Sequence, residues 1–209
     1  MSAFDLFSIG HSNIPAERFA ALLRAAGADA IADVRTVPFS RFCPWFSAKN
    51  LAPFLAAHDV AYLSYGEGLG GRPNDPALYC DGVADYEAMA RRPQFKDALA
   101  RLQADATGRK LCLLCAEREP LDCHRCLLVA RALAERGRNV GHILHDGAIE
   151  AHAATEQRLL ALDKDAGDLF TTGHDSRLAS AYRNRARAVA FRAAGAREKS
   201  QERKTKKQR

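Results

Sequence analysis

Between Lys110 and Arg136 the chain reads KLCLLCAEREPLDCHRCLLVARALAER. Two thiols, a carboxylate, an imidazole and a guanidinium crowd one short loop there: Cys115, Glu117, Cys123, His124 and Arg125. Thiol pKa values fall near helix N-termini and near cations, so Cys115 or Cys123 could serve as a nucleophile. Glu117 and His124 could carry a proton near neutral pH, with His11 as a second base. Leu121 stands where a Cys-x5-Arg phosphate loop starting at Cys115 would have its arginine. The expected catalytic set is therefore Cys115, Glu117, His124 and His11.

Cys112-x2-Cys115 and Cys123-x2-Cys126 have the outward form of two zinc knuckles. Their separation is shorter than the ~15–20 residues usual between such pairs. Cys112 and Cys115 also lie three apart on a presumed strand, which points them to opposite faces. The expectation is no metal and no cofactor, with a thiol redox or zinc protein as the outlying alternative.

These groups need elements to hold them. Leu111–Leu114 is a short apolar run that reads as a buried strand, and apolar residues return at helical spacing from Leu127. Leu6–Ile9, Ala30–Val34, Val60–Tyr65 and Arg138–Leu144 read as four more strands, alternating with helical patterns near 15–26, 51–58, 86–102, 124–136 and 149–162. Repeated β-α units predict an α/β fold: an open, mostly parallel five-stranded Rossmann-like sheet with helices on both faces. A strand order of 3-2-1-4-5 is expected. It makes the first and fourth strands neighbours, with the Gly10-His11-Ser12-Asn13 turn facing the thiol loop at the carboxyl edge.

Arg35, Arg41, Arg72 and Arg125 fall at expected strand-end loops, and guanidinium forks suit phosphate or carboxylate. Gly66–Gly82 is a long Gly/Pro/Asn/Asp loop that runs into Pro73 rather than a helix, so it is no dinucleotide fingerprint. Phe42, Trp45 and Phe46 beside Arg41 read first as a buried loop anchor, and otherwise as a base-stacking surface.

The chain has 209 residues, 47% of them apolar, which supports one ordinary domain with an extension. The net charge of +6 is uneven. Arg177–Arg209 holds 12 Lys and Arg against 2 Glu, so the residues before it sum to −4. The expected organisation is an α/β domain over 1–165, a linker over 166–176, and a basic helical arm and tail over 177–209. The arm is a helix with the stripe Leu178, Tyr182, Ala186, Val189, Ala193, and the tail beyond Arg197 is disordered. The arm suits a nucleic-acid backbone. No apolar run reaches the ~18 residues of a membrane span, and the N-terminus shows no secretory pattern. Six cysteines without such a signal suggest reduced thiols and a cytoplasmic protein.

SIGHSN (8–13), DVRTVPFSR (33–41), YLSYGEGLGGR (62–72), LCAEREPLDCHR (114–125) and GHILHDG (141–147) together resemble the domain of unknown function 488 family. The resemblance spans roughly residues 5–165. It implies an α/β fold and marks Gly10, His11, Ser12, Asn13, Asp33, Arg35, Ser40, Arg41, Gly70, Gly71, Cys115, Glu117, Cys123, His124 and Arg125 as site candidates. It implies no chemistry. Among these, Ser12, Asn13, Asp33, Arg35, Arg41, Gly70, Gly71, Cys123 and Arg125 are expected to bind substrate. The expected function is an enzyme acting on a phosphate-bearing small molecule or nucleic acid. A non-catalytic nucleotide or nucleic-acid binding module is the alternative.

Overall fold

The computed structural model describes residues 4–163 and 173–193. Five parallel strands, β1 (Leu6–Gly10), β2 (Ala30–Asp33), β3 (Ala61–Ser64), β6 (Leu111–Cys115) and β7 (Val140–Ile143), form a sheet with a sixth strand, β8 (Ile149–Ala151), antiparallel at one edge. The order is β3-β2-β6-β1-β7-β8. The first strand and the thiol-bearing strand are neighbours as expected, but the thiol-bearing strand lies between the first and second, which corrects the expected 3-2-1-4-5. Its five residues LCLLC are all buried, which suits the centre of a sheet covered on both faces. The helical pattern expected from Ile149 also begins late. Gly147, at φ 99°, reverses the chain, and Ile149–Ala151 pairs with β7 before helix α7 (His152–Leu162) starts.

Alternation along the strands divides the core. Phe7, Ile9, Ile31, Cys112 and Leu114 face α1 (Ala16–Ala26) and α2 (Ala48–Ala56). Leu6, Ala32, Leu111, Leu113 and Cys115 face the other layer. Helices α4 (Tyr86–Arg91), α5 (Pro93–Asp105), α6 (Arg131–Ala134), α7 and α8 (His174–Val189) belong to that layer. Helix α1, following β1, and helix α6, following β6, thus cover opposite faces. Adjacent strands with oppositely directed crossovers open a crevice at their carboxyl ends. Between β3 and α4 the long glycine-rich loop folds into a short helix α3 (Gly66–Leu69) and a hairpin of β4 (Tyr79–Cys80) and β5 (Val83–Ala84).

The arginine-flanked stripe is helical but begins at His174, and Ala181, Tyr182 and Ala186 are buried against the domain. Two of its cations reach acids of the body. Arg185 pairs with Asp122 and donates to the Leu121 carbonyl at 3.0 Å, and Arg183 reaches Glu87 at 3.4 Å. Residues 191–193 then lie along the β4–β5 hairpin, with Ala84 N–H donating to Phe191 O at 2.9 Å. Most of the expected linker, and the tail beyond 193 with its expected disorder, lie outside the described residues. No helix among the described residues is long and apolar enough to cross a membrane.

A buried polar chain ties α7 and α8 to the sheet. Ser8 Oγ, His142, His152, Tyr182 and Glu156 follow one another at 2.7, 2.9, 3.0 and 2.9 Å. One direction of donation satisfies both imidazoles in the neutral form, with Tyr182 donating to Glu156. Burial brings His152 down to about 4 from its ordinary 6.5 and holds His142 well below that range. The unfolded chain therefore binds protons that the fold refuses as pH drops below 6.5. Stability should be full above pH 6.5 and fall on acidification toward pH 4, by on the order of 3 kcal/mol for His152 alone. Thermal unfolding across that range, in wild type and His152→Gln, checks this, and the variant should show the shallower decline.

Candidate functional site

The ends of β1, β2 and β6 meet because the backbone continues to pair past the strands. His11 N–H donates to Cys115 O at 2.9 Å, Ser12 N–H to Ala116 O at 2.8 Å, and Val34 N–H to Leu114 O at 3.1 Å. Gly10 makes this approach possible. A Cβ there would lie 1.7 Å from the Glu117 carbonyl oxygen, so backbone would have to move. Gly10→Ala should destabilise the fold by about 3 kcal/mol, at the upper end of overpacking costs, as read by denaturant unfolding.

A cleft of about 630 Å³ opens above this junction, and His11, Arg35, Cys115, Glu117 and His124 all line it. The turn after the opening strand, the end of the second and the thiol loop thus share one cavity.

Arg35 enters from β2. Asp33 accepts from its Nε at 2.8 Å and from its backbone N–H at 3.1 Å, and pairs with a terminal nitrogen at 2.5 Å. Tyr62 adds an O–H donation to Asp33 at 2.7 Å. Burial opposes the guanidinium charge, and the Asp33 carboxylate more than restores it. His11 completes the mount. Its Nδ1 donates to Ser12 O at 2.8 Å, so its Nε2 accepts from Arg35 at 3.1 Å, and its ring stacks on Phe46 at 4.2 Å. Burial lowers the His11 pKa to about 4. Both ring nitrogens are engaged, so His11 orients Arg35 where a free second base was expected.

The thiol cluster sits at the cleft floor. Cys115 Sγ lies 2.9 Å and Cys123 Sγ 3.0 Å from Glu117 Oε2, and the two sulfurs lie 3.6 and 3.9 Å from His124 Nδ1. His124 Nε2 donates to Val34 O at 2.9 Å, which leaves Nδ1 directed at the sulfurs. The 3₁₀ turn Pro120–Asp122 ends at Cys123, and a π-helical stretch, Arg125–Ala130, carries the chain into α6. Single π turns in helices are frequent at functional sites. Burial raises Glu117 and Cys115 above their ordinary ranges. Burial would raise Cys123 too, but the Cys115 thiol and the charge of Arg125 bring it well below. Burial disfavours the His124 cation, and the neighbouring Cys123 outweighs that and raises its pKa. The two thiols are thus pushed in opposite directions, Cys115 up and Cys123 down.

The remaining candidates divide. Gly71 lines the cleft and passes so close to His124 that a Cβ would stand 2.6 Å from the ring. Gly70 packs against Thr36 instead. Ser40 lines the cleft and takes the Cys43 N–H at 3.0 Å. Asp33 and Cys123 are buried beneath the surface. Arg125, expected to hold an anion, is fully buried and donates to the Glu117 and Arg118 carbonyls at 2.6 and 3.0 Å, so it builds the loop from below. Arg41 is exposed over the Phe42 ring, and Ser12 and Asn13 bond within their own turn; none of the three lines the cleft.

Two things were missed from the sequence. Tyr62 holds Asp33, a role foreshadowed only by its place in YLSYGEGLGGR. Phe39 and Phe191 stand exposed on the cleft wall, and the second comes from the C-terminal arm. Arg72, one of the four arginines singled out, lines the cleft under the Phe191 ring at 4.9 Å. In the aromatic loop only Phe46 is a buried anchor, whereas Phe42 and Trp45 are exposed.

The model of the family described as Domain of unknown function DUF488 matches residues 15–132, more than half of the chain. The chain belongs to that family. The DUF488 match takes in Arg35 with its Asp33 mount and the whole thiol loop through Arg125. His11 and the arm that supplies Phe191 fall outside it. No curated protein and no solved structure matches the chain.

Proposed function

We propose that this DUF488 protein is an enzyme acting on a phosphate-bearing substrate, a nucleotide or nucleic acid, bound at the carboxyl edge of the sheet. One observation carries the reading: a mounted guanidinium and a carboxylate–thiol–imidazole cluster line the same cleft. A receptor that only captured anions would gain nothing from a carboxylate beside the bound charge, since like charges repel. Arg35 and Arg72 supply the forked donors that phosphate oxygens accept. Exposed Phe39 and Phe191 on the same walls offer faces on which a base can stack. Glu117, beside the two thiols and facing the cleft, would transfer the proton at the reacting oxygen. A cytoplasmic setting suits six unpaired thiols, all of them free in the fold.

Turnover of nucleotides and short nucleic acids by wild type and Glu117→Gln tests the reading. The variant should keep its unfolding midpoint and lose at least 100-fold in rate, as general acid–base catalysis commonly contributes. If wild type binds such compounds and turns over none, the cleft is a binding module. If Glu117→Gln unfolds the chain, Glu117 is a structural partner.

Charge beyond the described residues bears on the substrate's size. Ala194–Arg209 contains 7 Lys and Arg and 2 Glu. Removing that segment should weaken binding of single-stranded nucleic acid and flatten its salt dependence, with little change for a mononucleotide. Titrations at two salt concentrations check this.

A further inference from the structure

We propose that Cys115, Cys123, His124 and Glu117 form a binding site for a zinc-type divalent ion, with Glu117 as the ligand facing the cleft. The donor atoms of all four lie within 4.8 Å of one another. They come from three separate pieces of backbone: the end of β6, the loop after it, and the approach to the π-helical stretch. Tetrahedral zinc with ordinary bond lengths has sulfur-to-nitrogen edges of roughly 3.6 Å and sulfur-to-oxygen edges of roughly 3.5 Å. The two sulfur-to-nitrogen separations are already 3.6 and 3.9 Å, and the sulfur-to-oxygen ones, at 2.9 and 3.0 Å, need to open by about half an ångström.

The surroundings point the same way. The second nitrogen of a metal-bound imidazole donates to a carbonyl or carboxylate, and His124 Nε2 does so to Val34 O, leaving the Nδ1 lone pair for an ion. Arg125 is fully buried and its Nε has no hydrogen-bond partner. A dication with two thiolates, a carboxylate and a neutral imidazole carries a formal charge of −1, which the guanidinium behind Cys123 balances. Two thiolates with one imidazole select zinc over magnesium or calcium. Cys112 faces the opposite core, and Cys126 lies by His142 and His152, so the two CxxC pairs play no joint part. The ligand pattern is Cys-x-Glu-x5-Cys-His.

Cys115, Cys123 and His124 are buried, whereas Glu117 is partly exposed to the cleft. Three fixed ligands and one displaceable ligand are the arrangement of a catalytic rather than a closed structural site. Such an ion would supply Lewis-acid polarisation of a substrate oxygen, and Glu117, displaced by that oxygen, would be free for the proton transfer assigned to it above. That role rests on the enzyme reading above, whereas the ion's presence rests on the donors alone.

The test uses the untagged full chain, loaded with zinc alone and freed of excess, with metal content measured per chain. Wild type should hold one equivalent. Cys123→Ser should hold at least ten-fold less, and Cys112→Ser should match wild type. Because a serine variant could fail to fold, cobalt is bound to wild type in parallel. It should give the intense thiolate-to-metal absorption of a tetrahedral two-sulfur site. A substoichiometric zinc content, cobalt binding without that absorption, or equal loss in Cys112→Ser overturns the site. A zinc-loaded chain that turns over no phosphate compound leaves the metal centre standing and removes the enzyme reading. An active metal-free chain leaves the enzyme reading standing and removes the ion's Lewis-acid role.

Discussion

Arg125→Met should cost the fold about 2–6 kcal/mol, since two buried carbonyls lose their donors at about 1–3 kcal/mol each. The side chain is fully buried, and its two terminal nitrogens hold the Glu117 and Arg118 carbonyls at 2.6 and 3.0 Å. Its backbone N–H also meets Cys123 Sγ at 3.4 Å. Burial alone disfavours the guanidinium charge, and the sulfur of Cys123 is the largest influence restoring it. Removing it leaves two carbonyls without donors and the Cys123 sulfur without the cation that lowers its pKa. Arg125→Lys should recover little, because one ammonium cannot span two carbonyls as a planar fork does. Denaturant unfolding measures both, with exposed Arg41→Ala as the control, expected within about 0.5 kcal/mol of wild type.

The second large effect concerns Arg35, whose loss should weaken a nucleoside monophosphate at least 100-fold, or about 3 kcal/mol. The single variant Arg35→Met also strands the Asp33 carboxylate, 1% exposed, with Tyr62 as its remaining side-chain donor. Stability should therefore fall as well. Pairing it with Asp33→Asn removes the stranded charge. The double variant should regain most of the stability and none of the affinity. That pattern separates a guanidinium that binds ligand from one that only balances Asp33. Calorimetric titration and unfolding on the same four proteins give the cycle.

Much of this was legible in the residues. A fully apolar LCLLC followed by a polar, thiol-rich loop fixes a buried strand with its chemistry at the carboxyl end. The alternation that parts Cys112 from Cys115 is a two-residue period needing no coordinates. The strand order was not legible, because an all-buried run fits any interior position and long-range packing decides which. Asp33 and Arg35 both read as ligand-binding, yet two residues apart at a strand end they close on each other. Arg125 was misplaced for a related reason: a sequence shows a cation at a helix start but not which carbonyls lie beneath it. His11 was found by position and misjudged in role, since only the Arg35 contact shows its second nitrogen to be taken. The arginine-rich arm read as a basic helix suited to a nucleic-acid backbone, and nothing in its spacing told that its stripe of Leu178, Tyr182 and Ala186 docks on the body, drawing Arg183 and Arg185 onto acids there.

Ligand meets the thiol loop in the cleft, and the imidazoles report on that directly. Seven histidines are spread through the chain, and His11 and His124 line the cleft while His58 and His174 do not. Their ring resonances, followed by nuclear magnetic resonance as a nucleoside monophosphate is added, should show His11 and His124 shifting together to saturation with His58 and His174 unmoved. Shifts confined to His58 and His174, or none at the two cleft histidines at saturating ligand, would contradict it.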